Sequence, residues 1–318
     1  MPGVDQHRAT RSTRGRTLAG LLSLLQLCLA PVYAAPETSV ERVDEGVYLF
    51  QSGAERSLFM VTDAGVIVTD PLNAAAATHY RAAIRSITNQ PVKYVVYSHY
   101  HWDRVAGGRI FADEGALFVA QERCAERFKV NPNPAVVMPD ITFAEHHSIE
   151  LGEQTLHLHY FGPAHGDCLT VFEIDPAGLL QIVDMVNPPR ASFPENPLVS
   201  YIKPHNLRQF FAAVSQLVDQ QGIERIVASR VRTVTGSDGV GRPSPPTGPV
   251  SIIQDQARFW DAIRAAVEKA EEQGSVGNDS MVPVSAVDLE VFRAFDGYDA
   301  AALPIIMRRF VGFYDMGR

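Results

Sequence analysis

The sequence predicts an α/β layered sandwich followed by a C-terminal helical extension. Two observations lead to this prediction. Short runs rich in β-branched and aromatic residues fall into two groups, separated by turn residues and interleaved with helical segments. A Gly- and Pro-rich stretch then precedes a long amphipathic segment. With 318 residues, of which 46% are hydrophobic and 20% charged, the chain can bury a sizeable core.

Residues 1–34 have the pattern of a signal peptide. Arginines 8, 11, 14 and 16 precede an apolar stretch over residues 18–30, and small residues at 32–34 offer a cleavage site after Ala34. The apolar stretch is shorter than the roughly 20 residues that span a bilayer, which argues against a membrane anchor. We therefore expect a periplasmic or secreted protein, exported by the Sec-type route, with no stable membrane span once the signal is removed.

The net charge limits the expected partners. The chain carries a formal charge of -8, and residues 1–34, with four Arg and one Asp, contribute +3 of the total, so the remainder carries -11. An acidic chain of this kind is not expected to bind nucleic acid. The expected partner is a small-molecule substrate, and the sequence makes no prediction of oligomeric state.

The first group of elements opens with an antiparallel meander. A helix rich in Ala and Arg follows it, and then a strand that is apolar except for Lys93, as expected for a buried strand. The predicted strands are 46–52, 57–62, 65–70, 92–98 and 117–120, and the predicted helices are 74–88 and 121–129.

The second group contains six more strands and one long helix. The predicted strands are 141–143, 148–151, 155–161, 169–174, 179–183 and 226–228, with a helix at 206–221. Residues 235–249 hold four Gly and four Pro, which predicts a linker without regular structure. Helices at 251–273 and 303–310 follow. The predicted organisation is a signal peptide at 1–34, a domain at 35–249 and a helical extension at 250–318 packed on the core.

A metal-binding pattern follows the buried strand. His99 and His101 alternate, and Asp103 comes two residues later. Loops at the C-terminal ends of strands are where α/β folds place their sites. Neutral imidazole nitrogens and carboxylate oxygens are ligands that Zn²⁺ prefers. The pattern therefore predicts two ligands for one metal ion and a carboxylate for a neighbouring metal or a water.

Four segments resemble the metallo-β-lactamase superfamily. They are YVVYSHYHWDRVAGG at 94–108, GVIVTDP at 65–71, FGPAHGD at 161–167 and IVD at 182–184. The resemblance covers about residues 43–235 and implies a four-layer αββα sandwich. It also implies that His165 is the third histidine ligand, that Asp184 is the carboxylate able to bridge two metals, and that Asp70 braces the metal loop.

The chain departs from the family pattern at two positions. Arg104 stands where many members have a histidine after Asp103, and Arg230 stands where the last histidine ligand is usual. Arginine stays protonated and cannot bind a metal. We therefore expect one zinc ion, with two possible, at a site formed by His99, His101 and His165 with Asp184 nearby.

The resemblance implies a zinc-dependent hydrolase whose metal-bound water attacks an amide, lactone or other ester-type bond. Asp103 is then the candidate general base. Arg104 and Arg230 either take a charge role in catalysis or form salt bridges that fill the second site. The alternative function is a non-catalytic binding protein that retains at most one metal, and an iron-dependent redox enzyme is the third hypothesis.

Other metal-binding residue types have less specific surroundings. Cys124 and Cys168 either form a disulfide or remain as buried thiols, and Cys168 is close enough in sequence to His165 to approach the metal. His157 and His159 share one face of a predicted strand. Because no acidic residue is predicted in register with them, we expect these two histidines to be surface residues.

Overall fold

The computed structural model describes residues 37–194, 201–235, 238–272 and 292–316. The predicted signal peptide lies outside the described residues. The strands are β1 Thr38–Asp44, β2 Val47–Ser52, β3 Glu55–Thr62, β4 Gly65–Thr69, β5 Val92–Val96, β6 Leu117–Gln121, β7 Ile141–Phe143, β8 His146–Leu151, β9 Gln154–Tyr160, β10 Thr170–Asp175, β11 Leu179–Gln181, β12 Arg225–Val227, β13 Thr233–Thr235, β14 Gly241–Pro243 and β15 Thr247–Pro249. The helices are α1 Ala74–Ile87, α2 Trp102–Val105, α3 Arg109–Ala112, α4 Glu122–Val130, α5 Pro204–Gln221, α6 Ser251–Glu272 and α7 Leu303–Met316.

Two sheets form the centre of the fold. The first holds β1 to β7 in sequence order, antiparallel through β4 and parallel from there on. The second has the order β15-β12-β11-β10-β9-β8. One apolar cluster, with Leu58 and Val96 from the first sheet and Leu158 and Phe172 from the second, lies between the sheets. The sheets therefore pack face to face.

Helices cover the outer face of each sheet. Tyr80 of α1 and Phe128 of α4 pack with the first sheet. Phe210 of α5, Phe259 of α6 and Phe310 of α7 belong to the cluster on the second sheet. This arrangement confirms the predicted four-layer αββα sandwich with C-terminal helices. Among the described residues, no helix is both long and apolar enough to cross a membrane.

The structure differs from the sequence prediction in the predicted linker. Residues 235–249 were expected to lack regular structure, but β14 and β15 form there, and β15 pairs with β12 at the edge of the second sheet. Main-chain hydrogen bonds make this pairing, and an edge strand tolerates proline because one side of it needs no donor. Composition therefore did not predict it. Strand β1 and the short helices α2 and α3 were also not predicted.

Candidate metal centre

Four side chains from three loops converge at one end of the sandwich. His99 and His101 follow β5, His165 lies between β9 and β10, and Asp184 follows β11. The separations are 2.9 Å from His99 Nε2 to His101 Nδ1 and 3.2 Å from His101 Nδ1 to His165 Nε2. Asp184 Oδ2 lies 3.6 Å from both His99 Nε2 and His165 Nε2. Metal bonds of about 2.0–2.1 Å in a tetrahedron separate the ligand atoms by about 3.3 Å, so these atoms fit one zinc-sized ion.

A buried hydrogen-bond chain orients His99. Ser98 donates its backbone N–H to Asp70 Oδ1 at 2.8 Å and its hydroxyl to Asp70 Oδ2 at 2.6 Å. With its only hydrogen donated to Asp70, Ser98 Oγ accepts from His99 Nδ1 at 2.8 Å. The proton of His99 is therefore on Nδ1, and the lone pair on Nε2 faces the cluster. Burial raises the pKa of Asp70 to about 7, against the lowering effects of Arg104 and of the hydrogen bonds from Ser98.

The three histidines are held neutral. Burial, followed by the charges of His165 and His101, lowers the pKa of His99 well below its usual value. Burial also lowers the pKa of His101, and it lowers the pKa of His165 to about 4 even though Asp184 acts in the opposite direction. Only a neutral imidazole can bind a metal, so at neutral pH this cluster is already in the protonation state that a metal requires.

Two arginines hold the other oxygen of Asp184. Arg104 Nη2 and Arg230 Nε each donate to Asp184 Oδ1 at 2.6 Å. Glu55 completes the network, with Oε1 accepting from Arg230 Nη1 at 2.7 Å and Oε2 lying 2.7 Å from Arg104 Nη2 in an ion pair without hydrogen-bond geometry. Two guanidinium groups and two carboxylates thus balance in charge. We call Glu55, Arg104, Asp184 and Arg230 the arginine–carboxylate network.

The network shifts the pKa values of its members. Burial on its own would raise the pKa of Asp184, but Arg104 and His99, together with Arg230, hold it well below the usual range. Burial likewise acts to lower the pKa of Arg104, and the carboxylates of Asp184 and Glu55 outweigh it, so the pKa is raised. The pKa of Glu55 is raised because its burial outweighs the attraction of Arg104 and Arg230. Asp184 and Arg104 therefore remain charged at every physiological pH.

The structure brings together four of the seven predicted site residues. His99, His101, His165 and Asp184 come together, whereas Asp103 lies outside that group with a side chain that is 53% exposed, 3.7 Å from Arg230 Nη2. Arg104 is fully buried and has no access to a substrate. Its contacts with Asp184 and Glu55 correspond to the alternative in which the arginines form salt bridges rather than act in catalysis. Arg230 takes part in the same network but also lines a cavity.

This cavity gives access to the cluster. It has a volume of about 230 Å³, and His101, His165 and Asp184 form one part of its wall. Its other lining residues are Asp103, Met185, Asn187, Ser192, Phe193, Pro194, Ile202, Arg230, Arg232, Gln256 and Trp260. Gln256 and Trp260 belong to α6, so the C-terminal extension forms part of the cavity wall.

Sequence reasoning missed Glu55 and Asn187. Glu55 reaches the network because β3 forms an isolated bridge with Arg230. Asn187 Oδ1 accepts from the backbone N–H groups of Ser229 and Arg230, at 2.8 and 3.1 Å, and thereby fixes the loop that carries Arg230. Neither residue lies in a recognisable motif. Their roles depend on contacts between distant segments, and no local pattern signals such contacts.

Contacts outside the cluster decide two questions that the sequence raised. One is the state of the two cysteines, and the other is whether His157 and His159 have an acidic partner. Cys124 and Cys168 form a disulfide, which joins α4 to the segment that follows His165. Cys168 is therefore not a metal ligand. The expectation that His157 and His159 have no acidic partner in register is wrong, because Glu173 lies opposite His157 on β10 and its Oε2 is 2.7 Å from His159 Nε2.

Comparisons with known proteins agree with this site. A family model described as Metallo-beta-lactamase superfamily matches residues 53–189. The alpha subunit of 2,4-dinitroanisole O-demethylase from Nocardioides sp. (strain JS1661) is 27% identical over 154 residues, which are 48% of this chain and 47% of that protein. The chain therefore matches about half the length of this curated relative.

Solved structures show the same fold. A metallo-beta-lactamase from Pontibacter korlensis superposes with a TM-score of 0.59 at 20% identity and covers 71% of this chain and 99% of that one. The DIM-1 metallo-beta-lactamase superposes with a TM-score of 0.57 at 14% identity, covering 72% and 99% respectively. The family model of the metallo-β-lactamase superfamily thus matches the region, residues 53–189, that includes His99, His101, His165 and Asp184.

Proposed function

We propose that this chain is an exported, zinc-dependent hydrolase that works with a single metal ion. The observation that carries the proposal is the convergence of His99 Nε2, His101 Nδ1 and His165 Nε2 beside a carboxylate whose second oxygen two arginines already hold. The cluster opens into a cavity, which gives a substrate access to the reacting centre.

The donor set favours zinc, and the network disfavours a second ion. Three imidazole nitrogens are a ligand set that Zn²⁺ binds in catalytic sites, with the fourth position left to water. A second cation bound to Asp184 Oδ1 would lie next to the guanidinium groups of Arg104 and Arg230, because both groups are 2.6 Å from that oxygen. Like charges at that separation repel strongly in a buried setting. One metal ion per chain is therefore expected.

The side chains around the cluster have different chemical roles. A Zn²⁺ ion bound there supplies Lewis acidity and lowers the pKa of water to about 7. Because the pKa of Asp184 is held well below its usual range, Asp184 is a weak proton acceptor and serves as an anionic anchor. Asp103, exposed on the cavity wall beside Arg230, would accept a proton from the attacking water. Arg230, on the same wall, would stabilise negative charge on the carbonyl oxygen of a bound substrate.

Two observations support export. Residues 1–34 have the composition of a signal peptide. The disulfide between Cys124 and Cys168 is of the kind that persists in oxidising compartments such as the periplasm. Fractionation of cells that express the full chain, with the disulfide assayed by a mass shift after thiol labelling, tests this part of the proposal.

The proposed substrates contain an amide, lactone or other ester-type bond. The curated relative is named for O-demethylation of 2,4-dinitroanisole, so an aryl methyl ether belongs in the same panel. The test is to purify the protein, measure zinc per chain by elemental analysis, and assay chromogenic β-lactams, lactones and phosphodiesters together with 2,4-dinitroanisole. We expect about one zinc ion per cavity and turnover of at least one class.

Matched variants make the test specific. His101→Ala should lose both zinc and turnover, whereas His79→Ala, at an exposed position of α1, should keep both. A zinc content near zero with no turnover contradicts the hydrolase proposal. Bound zinc with no turnover across the panel would instead support a non-catalytic metal-binding protein. The closed arginine–carboxylate network favours this second candidate, because it fills the place where the family resemblance implies a second metal.

A further inference from the structure

A second group of histidines lies on the outer face of the second sheet. His146 of β8 pairs in register with His159 of β9, and Glu173 of β10 pairs with His157 of β9. Residues directly opposite each other in an antiparallel pair lie on the same face, so these four side chains share one face. Leu156 and its alternate neighbours face the centre of the sandwich, which places the four on the outside. We call His146, His157, His159 and Glu173 the β8–β10 histidine cluster.

The three rings lie close together. The ring centroids are 5.0 Å apart for His146 and His159, 6.0 Å for His146 and His157, and 6.3 Å for His157 and His159. The corresponding separations among His99, His101 and His165 are 4.5, 5.0 and 4.9 Å. The separations in the β8–β10 histidine cluster are wider, so binding one ion requires side-chain rotation, for which exposed His146 has room.

Hydrogen bonds orient two of the three rings. His159 Nε2 lies 2.7 Å from Glu173 Oε2, and His157 Nδ1 lies 2.8 Å from Ser148 Oγ. Each bond uses one nitrogen of the ring, so the opposite nitrogen, Nδ1 of His159 or Nε2 of His157, is the one able to bind a metal. A histidine that binds a metal commonly donates its other ring N–H to a carboxylate or another acceptor, which fixes its tautomer and makes it a better ligand. Glu173 is such a partner for His159, and Ser148 is such a partner for His157.

The sheet provides a rigid base for the cluster. The side chains of His159 and Glu173 are only 14% and 10% exposed, and the backbones around them are held by the β8–β9 and β9–β10 pairings. The strands fix the backbone positions of the three histidines, so only side-chain rotation has to bring their nitrogens within reach of one ion. Exposed His146 completes the set from the neighbouring strand and leaves the site open to ions from solvent.

We propose that the β8–β10 histidine cluster is a second, peripheral site for a divalent transition-metal ion, with His146, His157 and His159 as ligands and Glu173 as a positioning residue. Imidazole nitrogens suit Cu²⁺, Zn²⁺ and Ni²⁺, and among first-row divalent ions the affinity of a nitrogen site is highest for Cu²⁺. Hard cations such as Ca²⁺ and Mg²⁺ prefer oxygen ligands and are not expected to bind there. The proposal does not depend on the hydrolase assignment.

Titration with Cu²⁺ tests the proposal in a background in which the first centre has lost two of its three imidazoles. The His101→Ala/His165→Ala protein, stripped of metal, is titrated with Cu²⁺ and examined by electron paramagnetic resonance. We expect one tight Cu²⁺ per chain with nitrogen hyperfine splitting from imidazoles. Adding His146→Gln or His157→Gln should weaken binding at least tenfold, and Glu173→Gln should weaken it by about ten- to a hundredfold.

The control is His147→Gln in the same background. His147 follows His146 but lies on the opposite face, stacked with Phe143, so Cu²⁺ affinity should be unchanged. In the otherwise unaltered protein, His146→Gln should keep the zinc ion held by His99, His101 and His165. Cu²⁺ affinity unchanged in both His146→Gln and His157→Gln, with circular dichroism unaltered, overturns the proposal. So does an equal loss of affinity in His147→Gln.

Discussion

Arg104 Nη2 donates to Asp184 Oδ1 at 2.6 Å, and both side chains are almost completely shielded from solvent. The same carboxylate presents Oδ2 to His99 and His165. One oxygen therefore belongs to an internal ion pair and the other to the candidate metal centre. A change in the contacts of Oδ1 therefore affects Oδ2, because both oxygens belong to the same carboxylate group.

Replacing Arg104 should destabilise the protein strongly. Arg104→Met removes the fully buried one of the two guanidinium groups that hold Asp184 and Glu55, and breaking a buried ion pair from one side costs about 3–5 kcal/mol. Chemical denaturation of the metal-free protein measures this loss. The matched control is Arg258→Met on α6, where an exposed pair with Asp255 should contribute under about 1 kcal/mol. Equal effects in the two variants would contradict a structural role for the network.

Restoring histidine at one arginine position should not create a second metal site. In Arg230→His, Arg104 still holds Asp184 Oδ1 and still pairs with Glu55. We therefore expect one ion in the cavity of Arg230→His and a second ion only when Arg104→His is added. Elemental analysis in the presence of His146→Gln, which removes the proposed peripheral site, gives the count. Two ions in the cavity of the single variant would show that Arg104 does not block the second position.

Metal retention should be almost independent of pH down to mildly acidic conditions. Protons compete with a metal for a histidine only where the pH is near or below that histidine's pKa. Burial lowers the pKa of His165 to about 4, and it lowers those of His99 and His101 as well. Zinc occupancy after dialysis should therefore be the same at pH 8 and pH 6 and fall as the pH approaches about 4. Half-loss near pH 6.5, the value of an unperturbed imidazole, would contradict this account.

The hydroxyl of Ser98 should influence metal affinity without touching the metal. Ser98→Ala removes the acceptor that keeps the proton of His99 on Nδ1, and losing such a partner lowers metal affinity by about ten- to a hundredfold. Competition with a chromogenic chelator measures the change. Ser86→Ala is the control, because Ser86 Oγ only donates to a backbone carbonyl on the exposed side of α1. An affinity unchanged by Ser98→Ala would rule out this positioning role.

The disulfide should contribute substantially to stability. Cys124 and Cys168 are separated by 44 residues in sequence, and in the chain-entropy description a loop of that size stabilises the fold by about 4 kcal/mol. Denaturation of the Cys124→Ser/Cys168→Ser double variant, compared with the oxidised protein, should show a loss of that order. A loss below about 1 kcal/mol would indicate that packing alone fixes the segment after His165.

Residues close together in sequence made part of the centre predictable. His99 and His101 follow an apolar strand directly, and the family resemblance adds His165 and Asp184 at the ends of later strands. The αββα order could be predicted for a similar reason, since alternation of apolar runs and helical segments is a local property. The main disagreements concern contacts between distant segments.

Three examples show why those contacts were not predicted. Glu55 meets Arg230 only because β3 and the loop after β12 are neighbours in the folded chain. Glu173 meets His159 through the register of β9 and β10, and one strand's sequence does not define that register. β15 forms in a Gly- and Pro-rich stretch because β12 offers a free edge for main-chain pairing.

The central claim is that the cavity holds one metal ion, on His99, His101 and His165, with the arginine–carboxylate network intact beside it. A crystal of the zinc-loaded protein, with anomalous diffraction recorded above and below the zinc edge, tests it directly. We predict a single zinc peak in the cavity, within bonding distance of His99 Nε2, His101 Nδ1 and His165 Nε2, and Arg104 still paired with Asp184. A second peak between Asp103 and Asp184, or no peak among the three histidines, would contradict it.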